Sequence, residues 1–241
     1  MEDIARKKHQ PIKVGTWFLI LVAFYMAGSV FQNVLATKTF GTEELSITTG
    51  GTIISWLVFL CMDVITEIWG RKKAIHCFLI SGALNLAFSG IAWICIAIPG
   101  NNSFLSSAYE IILGTGWRIV LASITAFLLG SYANTMIMYI MRVKSKNPSK
   151  TLGFMLRAIL STLLGQIVDN ALFYLIAFAP IGIPGTIEQS WMTLLQLVCF
   201  TTLIETIVEA LISPLTATFI RYLKNQKQLQ NVSTDIETGK E

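Results

Sequence analysis

Six long apolar stretches constrain the fold of this 241-residue chain more than any other feature of its sequence. Each stretch is close to or longer than the about 18 residues that indicate a membrane-spanning helix. Short polar connections separate the stretches, which cover residues 17–36, 51–69, 75–98, 117–141, 154–179 and 192–222. The pattern predicts an all-α membrane protein with six transmembrane helices. Pro214 is the one proline inside a stretch, and we expect it to kink the last helix because proline removes a backbone donor.

The composition excludes most soluble classes of protein. Charged residues make up 13% of the chain and hydrophobic residues 54%, whereas soluble domains carry about 25% charged residues. The net charge of +4 does not favour nucleic-acid binding, because the basic residues are spread along the sequence rather than clustered. The chain carries neither a phosphate-binding G-x-x-x-x-G-K motif nor an H-E-x-x-H zinc motif. We therefore expect no catalytic activity, no cofactor, no bound metal and no nucleic-acid partner.

The distribution of basic residues predicts the orientation in the membrane. Fifteen of the 18 lysines and arginines lie in the two termini and in the connections after the second and fourth stretches, whereas the three other connections hold only Lys38. The positive-inside rule then places both termini in the cytoplasm. The sequence thus divides into a cytoplasmic N-terminus (1–16), a transmembrane domain (17–222) and a flexible cytoplasmic tail (223–241).

Ionisable side chains inside the apolar stretches are candidates for a functional site, because a charge at the centre of a membrane helix costs about 2.5–3.5 kcal/mol or more. They are Asp63, Glu67, Arg118, Arg157, Asp169, Glu205 and Glu209. Glu67 either pairs with Arg71, four residues on, or belongs to the site. Arg118 either reaches the lipid headgroups or faces inward as a fixed cation. Glu205 and Glu209 would repel each other as anions at this spacing, so we expect at least one to hold a proton, either in the site or as a neutral carboxyl hydrogen-bonded between helices.

The fifth stretch has a polar stripe on one helix face. Residues that recur every four positions form it: Arg157, Ser161, Gly165, Asp169 and Phe173. Gln166 lies beside the stripe. Asp169 is about 18 Å along the helix axis from Arg157, so the two cannot pair within the helix, and Asp169 must meet another helix, a cavity or a substrate. Ser161 and Gly165 form a small-x-x-x-small pair, which favours close packing of a neighbouring helix.

Buried carboxylates, an amide and aromatic side chains together predict a small, polar, planar ligand such as a purine-like base. Its ring needs stacking surfaces, for which Phe173 and Trp56 are candidates. Its two adjacent N–H donors need an acceptor with two oxygens, which a carboxylate supplies.

Three motifs resemble those of the queuosine precursor transporter family, also called the vitamin uptake transporter family. In the second stretch, Asp63-Val-Ile-Thr-Glu67-Ile-Trp-Gly70 resembles the D-x-x-x-E-x-(aromatic)-G motif. In the fifth, the run from Arg157 to Phe173 resembles the R-x3-S-T-x2-G-Q-x2-D-x3-F signature. In the fourth, Arg118-x3-Ala-Ser is similar to the R-x3-A-S element.

One motif departs from the family pattern. Where members commonly carry G-Q-x-x-D, this chain reads Gly130-Ser-Tyr-Ala-Asn134. An amide therefore stands where relatives have a carboxylate.

The resemblance implies uptake of a 7-deazaguanine base (preQ0, preQ1 or queuine) across the plasma membrane, which is the inner membrane if the cell is Gram-negative, for salvage into modified tRNA. It also implies a fold similar to the substrate-binding components of energy-coupling-factor transporters. We expect Asp169 and one of Asp63, Glu67 or Glu205 to bind the N–H edge. Arg118 and Gln166 would contact ring acceptors, Phe173 or Trp56 would stack, and Asn134 completes the predicted site. The expected partners are this base and the lipid bilayer, and the oligomeric state, including a homodimer, stays open.

Two other classes remain to be weighed. A substrate-capturing component for another vitamin would need a separate ATPase module, which Ala122, Ala126 and Gly130 would dock. An intramembrane aspartyl protease would need two aspartates in characteristic motifs, which Asp63 and Asp169 lack. The sequence leaves open which base is carried, and whether protons drive the transport or metabolic trapping follows facilitated diffusion.

Overall fold

The computed structural model describes residues 14–144 and 151–238, without the side chains of residues 142, 151–159 and 227–238. Seven helices and one β-hairpin make up the described part of the chain. Their bounds are α1 Val14–Leu35, β1 Thr39–Gly41, β2 Ser46–Thr49, α2 Thr52–Trp69, α3 Arg71–Ala97, α4 Ser103–Gly114, α5 Gly116–Val143, α6 Thr151–Phe178 and α7 Trp191–Thr238.

Six helical segments of the described residues are long and apolar enough to cross a membrane. They are α1, α2, α3, the segment Ser103–Met141 that combines α4 with most of α5, and the segments Leu160–Phe178 of α6 and Trp191–Gln226 of α7. Large apolar side chains such as Ile91 and Leu211 point outward, as expected where lipid rather than water is the solvent. The prediction of an all-α protein with six transmembrane helices is confirmed.

Hydrogen bonds gather three connections at one end of the bundle. The hairpin is tied to α7 by the amide of Ser46, which donates to Gln196 Oε1 over 2.9 Å. The connection between α6 and α7 is tied to the start of α5 by the amide of Ile187, which donates to Thr115 Oγ1 over 2.7 Å. These are the connections that carry few basic residues, so their common location agrees with the alternating charge pattern. The cytoplasmic location of the termini stays a prediction.

The hairpin and α4 were not predicted, because both are too short to give a periodic signal. The hairpin pairs Thr39 with Thr49 in an antiparallel register that shifts next to Gly41. Gly41 has φ +144°, and a Cβ there would collide with the carbonyl oxygen of Leu45. Helix α4 begins after Asn102, whose side chain accepts a hydrogen bond from the Leu105 amide over 3.0 Å, which is a standard N-cap.

Gly70 separates α2 from α3 and corrects one prediction. Its φ of +89° is a conformation that glycine adopts without the steric cost of a side chain. Because the helix breaks there, Arg71 begins a new helix and cannot face Glu67 at the i+4 position. Glu67 instead forms an ion pair with Lys224 of α7. The ion pair joins the end of α2 to α7.

Helix α7 is longer than predicted. The last apolar stretch ends at residue 222, whereas the helix continues through Pro214 and on to Thr238. The flexibility and cytoplasmic location of residues 223–241 stay predictions.

Two apolar clusters hold the helices together. One packs Tyr25 of α1 and Ile65 of α2 against Leu223 of α7. The other packs Tyr174 and neighbouring residues of α6 against Leu197 of α7 and residues of α5. Residues of both clusters, among them Tyr25 and Tyr174, also line one internal cavity.

Candidate functional site

A cavity of about 310 Å³ lies inside the helical bundle, and all six spanning segments contribute to its lining. This volume is at the lower end of the range of about 300–1,000 Å³ typical of small-ligand sites. The residues of the predicted site that line it are Asp63, Asn134, Gly165, Gln166, Asp169, Phe173 and Glu205. Residues from four different apolar stretches are therefore brought to one place.

The lining of this cavity is acidic. It contains four carboxylates, those of Asp63, Asp169, Glu205 and Glu209, and no lysine, arginine or histidine among the residues that the structure describes. An anionic ligand would meet uncompensated like charge in a medium of low dielectric constant. The cavity is therefore suited to a ligand that presents N–H donors or a positive charge.

The two glutamates of α7 are held by amides of α6. Gln166 Nε2 donates to Glu209 Oε2 over 2.7 Å, and Asn170 Nδ2 donates to Glu205 Oε2 over 3.0 Å. The Gln166 carbonyl oxygen in turn accepts from Thr206 over 3.3 Å. Each carboxylate has its own donor, which explains how two like charges one turn apart are accommodated on one helix face.

The two aspartates differ from the glutamates. Neither Asp63 nor Asp169 makes a hydrogen bond or ion pair with any residue that the structure describes, and both line the cavity. Asp169 is partly buried and Asp63 is exposed. The oxygens of both are accessible, because the only sealed polar atom without a partner among the described residues is Trp17 Nε1. A partly buried carboxylate such as Asp169 is costly without a donor, and both aspartates are free to accept a hydrogen bond from a ligand.

Glycines set the distance between α5 and α6 and so position two polar side chains. A Cβ added at Gly130 would lie 2.8 Å from Asp169 Cβ, and one added at Gly165 would lie 2.7 Å from Asn134 Cβ. Each glycine thus makes room for the polar residue of the facing helix. Ser161, one turn before Gly165, is also buried. The side chain of Arg157 lies outside the described part of the chain.

A second polar cluster in the cavity was missed by the sequence analysis. Asn33 Nδ2 donates to Asn85 Oδ1 over 2.8 Å, and Ser123 donates to Asn33 Oδ1 over 2.9 Å. Asn85 also donates to Ser29 Oγ over 3.0 Å, and Ser29 shares a 2.6 Å hydrogen bond with Ser81. These contacts join α1, α3 and α5. Two asparagines within apolar stretches, Asn33 and Asn85, were the available signal, but a neutral amide costs less in a membrane than a charge and so stands out less.

Aromatic rings complete the lining. The ring of Phe173 packs edge-on against that of Tyr174, with centroids 5.2 Å apart. Tyr174 shares a hydrogen bond of 2.8 Å with Thr201, which fixes its ring. Phe78 and Phe127 stack on each other at 4.3 Å and also line the cavity. A planar ligand therefore has several apolar faces to contact.

Arg118 lies outside the cavity lining and is only 3% exposed. Its Nε donates to the carbonyl of Ile176 over 2.6 Å, and its Nη2 donates to that of Ala179 over 2.7 Å. These carbonyls belong to the C-terminal end of α6, where the helix supplies no donors of its own. Glu188 lies 3.9 Å from the guanidinium. Of the two alternatives for Arg118, the structure favours the inward-facing fixed cation, but the guanidinium binds the end of α6 and does not line the central cavity.

Two other predicted residues also lie outside the central cavity. Trp56 and Glu67 line a separate cavity between α2 and α7.

The small-residue face suggested for docking an ATPase is not available on the surface. Ala122, Ala126 and Gly130 are buried within the chain, and the last two line the central cavity. Among the described residues, no group of three or more histidines, cysteines or acidic residues could hold a metal ion.

The fold defines a multi-pass membrane protein with an internal cavity of polar lining. Residues 49–219 match a family model described as "Putative vitamin uptake transporter". The match covers more than half of the chain, so this protein belongs to the vitamin uptake transporter family. The matched residues include all four cavity carboxylates. Comparisons with curated proteins and with solved structures found no match.

Proposed function

We propose that this protein takes up a 7-deazaguanine precursor of queuosine across the plasma membrane and binds it in the central cavity. The observation that carries the proposal is the pair of carboxylates, Asp63 and Asp169, that face the cavity without a hydrogen-bond partner among the described residues. The family match supports transport, and the acidic lining supports a ligand rich in N–H donors.

The chemistry of the base fits this lining. A guanine-type edge has two adjacent N–H donors, on the ring and on the exocyclic amine, and one carboxylate accepts both. Asp169 is our choice for this edge, because α5 and α6 hold it beside the cavity through the close approach at Gly130. The Asn134 side chain, which makes no hydrogen bond to the residues that the structure describes, would donate to the ring carbonyl. Phe173 would stack on the ring.

Asp63 and Gln166 have different roles in this proposal. Asp63 would accept from the substituent on the deazaguanine ring, which is an amine in preQ1 and queuine. Gln166 already binds Glu209 and Thr206, so it would act mainly by holding α6 against α7. Glu205, held by Asn170, would do the same.

The proposal is tested by uptake of labelled base in a strain that cannot make queuosine, with guanine, preQ0, preQ1 and queuine compared. Asp169→Asn replaces one of the two carboxylate oxygens, which accept hydrogen bonds, with an NH2 group, which donates them. Each hydrogen bond to a charged group contributes about 1.5–3 kcal/mol, so we expect uptake to fall by about tenfold or more. Glu110→Gln, on α4 and away from the cavity, is the control and should transport normally. Wild-type uptake by both Asp169→Asn and Asp169→Ala would contradict the role of Asp169.

The alternative of a component that depends on an ATPase is tested with the purified protein. Uptake into proteoliposomes without any other subunit supports the proposal. Uptake only in the presence of a co-purifying ATPase would support the alternative.

A further inference from the structure

A second cavity lies between α2 and α7, and its volume of about 530 Å³ exceeds that of the central cavity. All of its lining residues belong to these two helices, from Ser55 to Glu67 and from Glu205 to Lys224. Twelve residues of helix span about 18 Å. The cavity is therefore a long groove, which we call the α2–α7 groove, and its far end is the Glu67–Lys224 ion pair.

The groove meets the central cavity at a shared set of side chains. Both are lined by Phe59, Asp63, Glu205 and Glu209. The two glutamates are bound to amides of α6. Asp63 is thus the shared carboxylate without a partner among the described residues, and Phe59 is the shared ring.

The groove is polar although it lies on membrane-spanning helices. Besides the carboxylates it contains Thr66, Ser213, Arg221 and Lys224. Lipid tails cannot solvate such groups, which are costly in contact with hydrocarbon. Water must therefore fill the groove at least at its charged end.

The neighbouring face of α7 has the opposite character. Leu211 and Leu215 are 74% and 62% exposed, and neither lines the groove. One helix thus presents leucines to lipid and a hydroxyl, Ser213, to the groove. Pro214 lies between Leu211 and Leu215 in the sequence. It leaves the carbonyl of Ala210 without its helical donor, so α7 bends most easily beside the groove.

We propose that the α2–α7 groove is a second, water-filled binding site for the transported base. It is also the path by which the base reaches the end of the bundle that carries the Glu67–Lys224 pair. This inference rests on the proposed function. The base passes from Asp169 to Asp63. Because Asp63 lines both cavities, it accepts hydrogen bonds from the N–H groups of the base in the central cavity and in the groove. Trp56, which is 38% exposed and lines the groove, then offers a face for stacking.

Cysteine labelling tests whether the groove holds water, whatever the substrate is. In a background with Cys61, Cys77, Cys95 and Cys199 replaced, single cysteines are placed in the groove by Thr66→Cys and Ser213→Cys. Leu211→Cys and Leu215→Cys, on the lipid-facing side of the same helix as Ser213, are the matched controls.

A water-soluble thiol reagent that does not cross membranes is applied to vesicles of both orientations. We expect the groove cysteines to react at least tenfold faster than the leucine-site cysteines, from one side only, and more slowly when preQ1 is present. Equal rates at Ser213→Cys and Leu215→Cys would overturn the proposal. Disulfide formation between two copies through Ser213→Cys would overturn it too, because the groove would then be an interface between copies.

The path is tested by separating binding from transport. Trp56 lines the groove and not the central cavity, so Trp56→Ala should bind preQ1 in detergent within about threefold of the wild-type affinity, while uptake falls at least tenfold. Asp63→Asn, which also removes a contact of the proposed central site, should weaken both binding and uptake. Wild-type uptake by both variants would overturn the path. If the wild-type protein took up none of the bases, the proposed function would fail, whereas the labelling contrast would still decide whether the groove is aqueous.

Discussion

The α5–α6 pair and the α2–α7 pair bound the same cavity but pack in opposite ways. At α5–α6, Gly130 and Gly165 let the backbones approach until a single added methyl group would collide with the facing helix. At α2–α7, side chains hold the helices apart around a groove of about 530 Å³. Backbone contact leaves little freedom for relative movement, whereas two helices held apart by a groove can change their separation. On the functions proposed above, the first pair would hold the substrate and the second would open.

The largest effect is expected at the end of the α5–α6 pair. Arg118→Ala removes two hydrogen bonds from a charged donor to the end of α6: the carbonyl of Ile176 loses its donor, and that of Ala179 keeps only the amide of Ile181. Each hydrogen bond to a charged group contributes about 1.5–3 kcal/mol, so the free energy of unfolding should fall by about 3–6 kcal/mol. Thermal unfolding in detergent measures this, with the exposed Lys144→Ala as control. Because Arg118 does not line the cavity, the KM for uptake by the folded protein should stay unchanged. A tenfold higher KM with normal stability would instead indicate that Arg118 contacts the substrate.

The glycine contact is expected to give the next largest effect. Gly130→Ala places a methyl group 2.8 Å from Asp169 Cβ. Overpacking of this kind costs about 1–3 kcal/mol, and it displaces the residue proposed to bind the base, so uptake should fall at least tenfold. Gly90→Ala is a matched control, because a Cβ there has no neighbour within 4 Å. If both variants transported equally well, α5 and α6 would not be the rigid pair.

The smallest effect is expected at the end of the α2–α7 pair. Glu67 and Lys224 are about half exposed, and exposed ion pairs contribute about 0–1 kcal/mol. A double-mutant cycle with Glu67→Gln and Lys224→Gln should give a coupling energy in that range, decreasing with added salt. The same variants should alter the rate of labelling at Ser213→Cys if the pair closes the groove. A coupling well above this range would make the α2–α7 end as fixed as the α5–α6 end.

The spanning helices could be predicted because their signal is local. A run of apolar residues long enough to cross a bilayer predicts a helix whatever the neighbouring segments do. The hairpin and α4 lie in short polar connections without such a signal. Their positions depend on distant partners, as the bond from Ser46 to Gln196 illustrates.

The candidate site was predicted in part. Asp63, Asp169 and Glu205 were found because a carboxylate in an apolar stretch is costly wherever it lies. Arg118 carries the same cost, but its donors are used by the end of α6, and no sequence pattern shows which helix end comes near. The asparagine and serine cluster of α1, α3 and α5 was missed for the reverse reason: uncharged polar residues carry a weaker signal.

The sequence by itself determined the class of the protein, the number of spanning helices and most of the carboxylates that face the cavity. These follow from hydrophobicity and charge, which act on each segment separately. The tertiary structure decided which carboxylates already have donors, which two remain accessible, and which pair of helices leaves a groove. Those properties depend on distances between helices, as at Gly130 and Gly165, where the close approach of α5 and α6 positions Asp169 and Asn134.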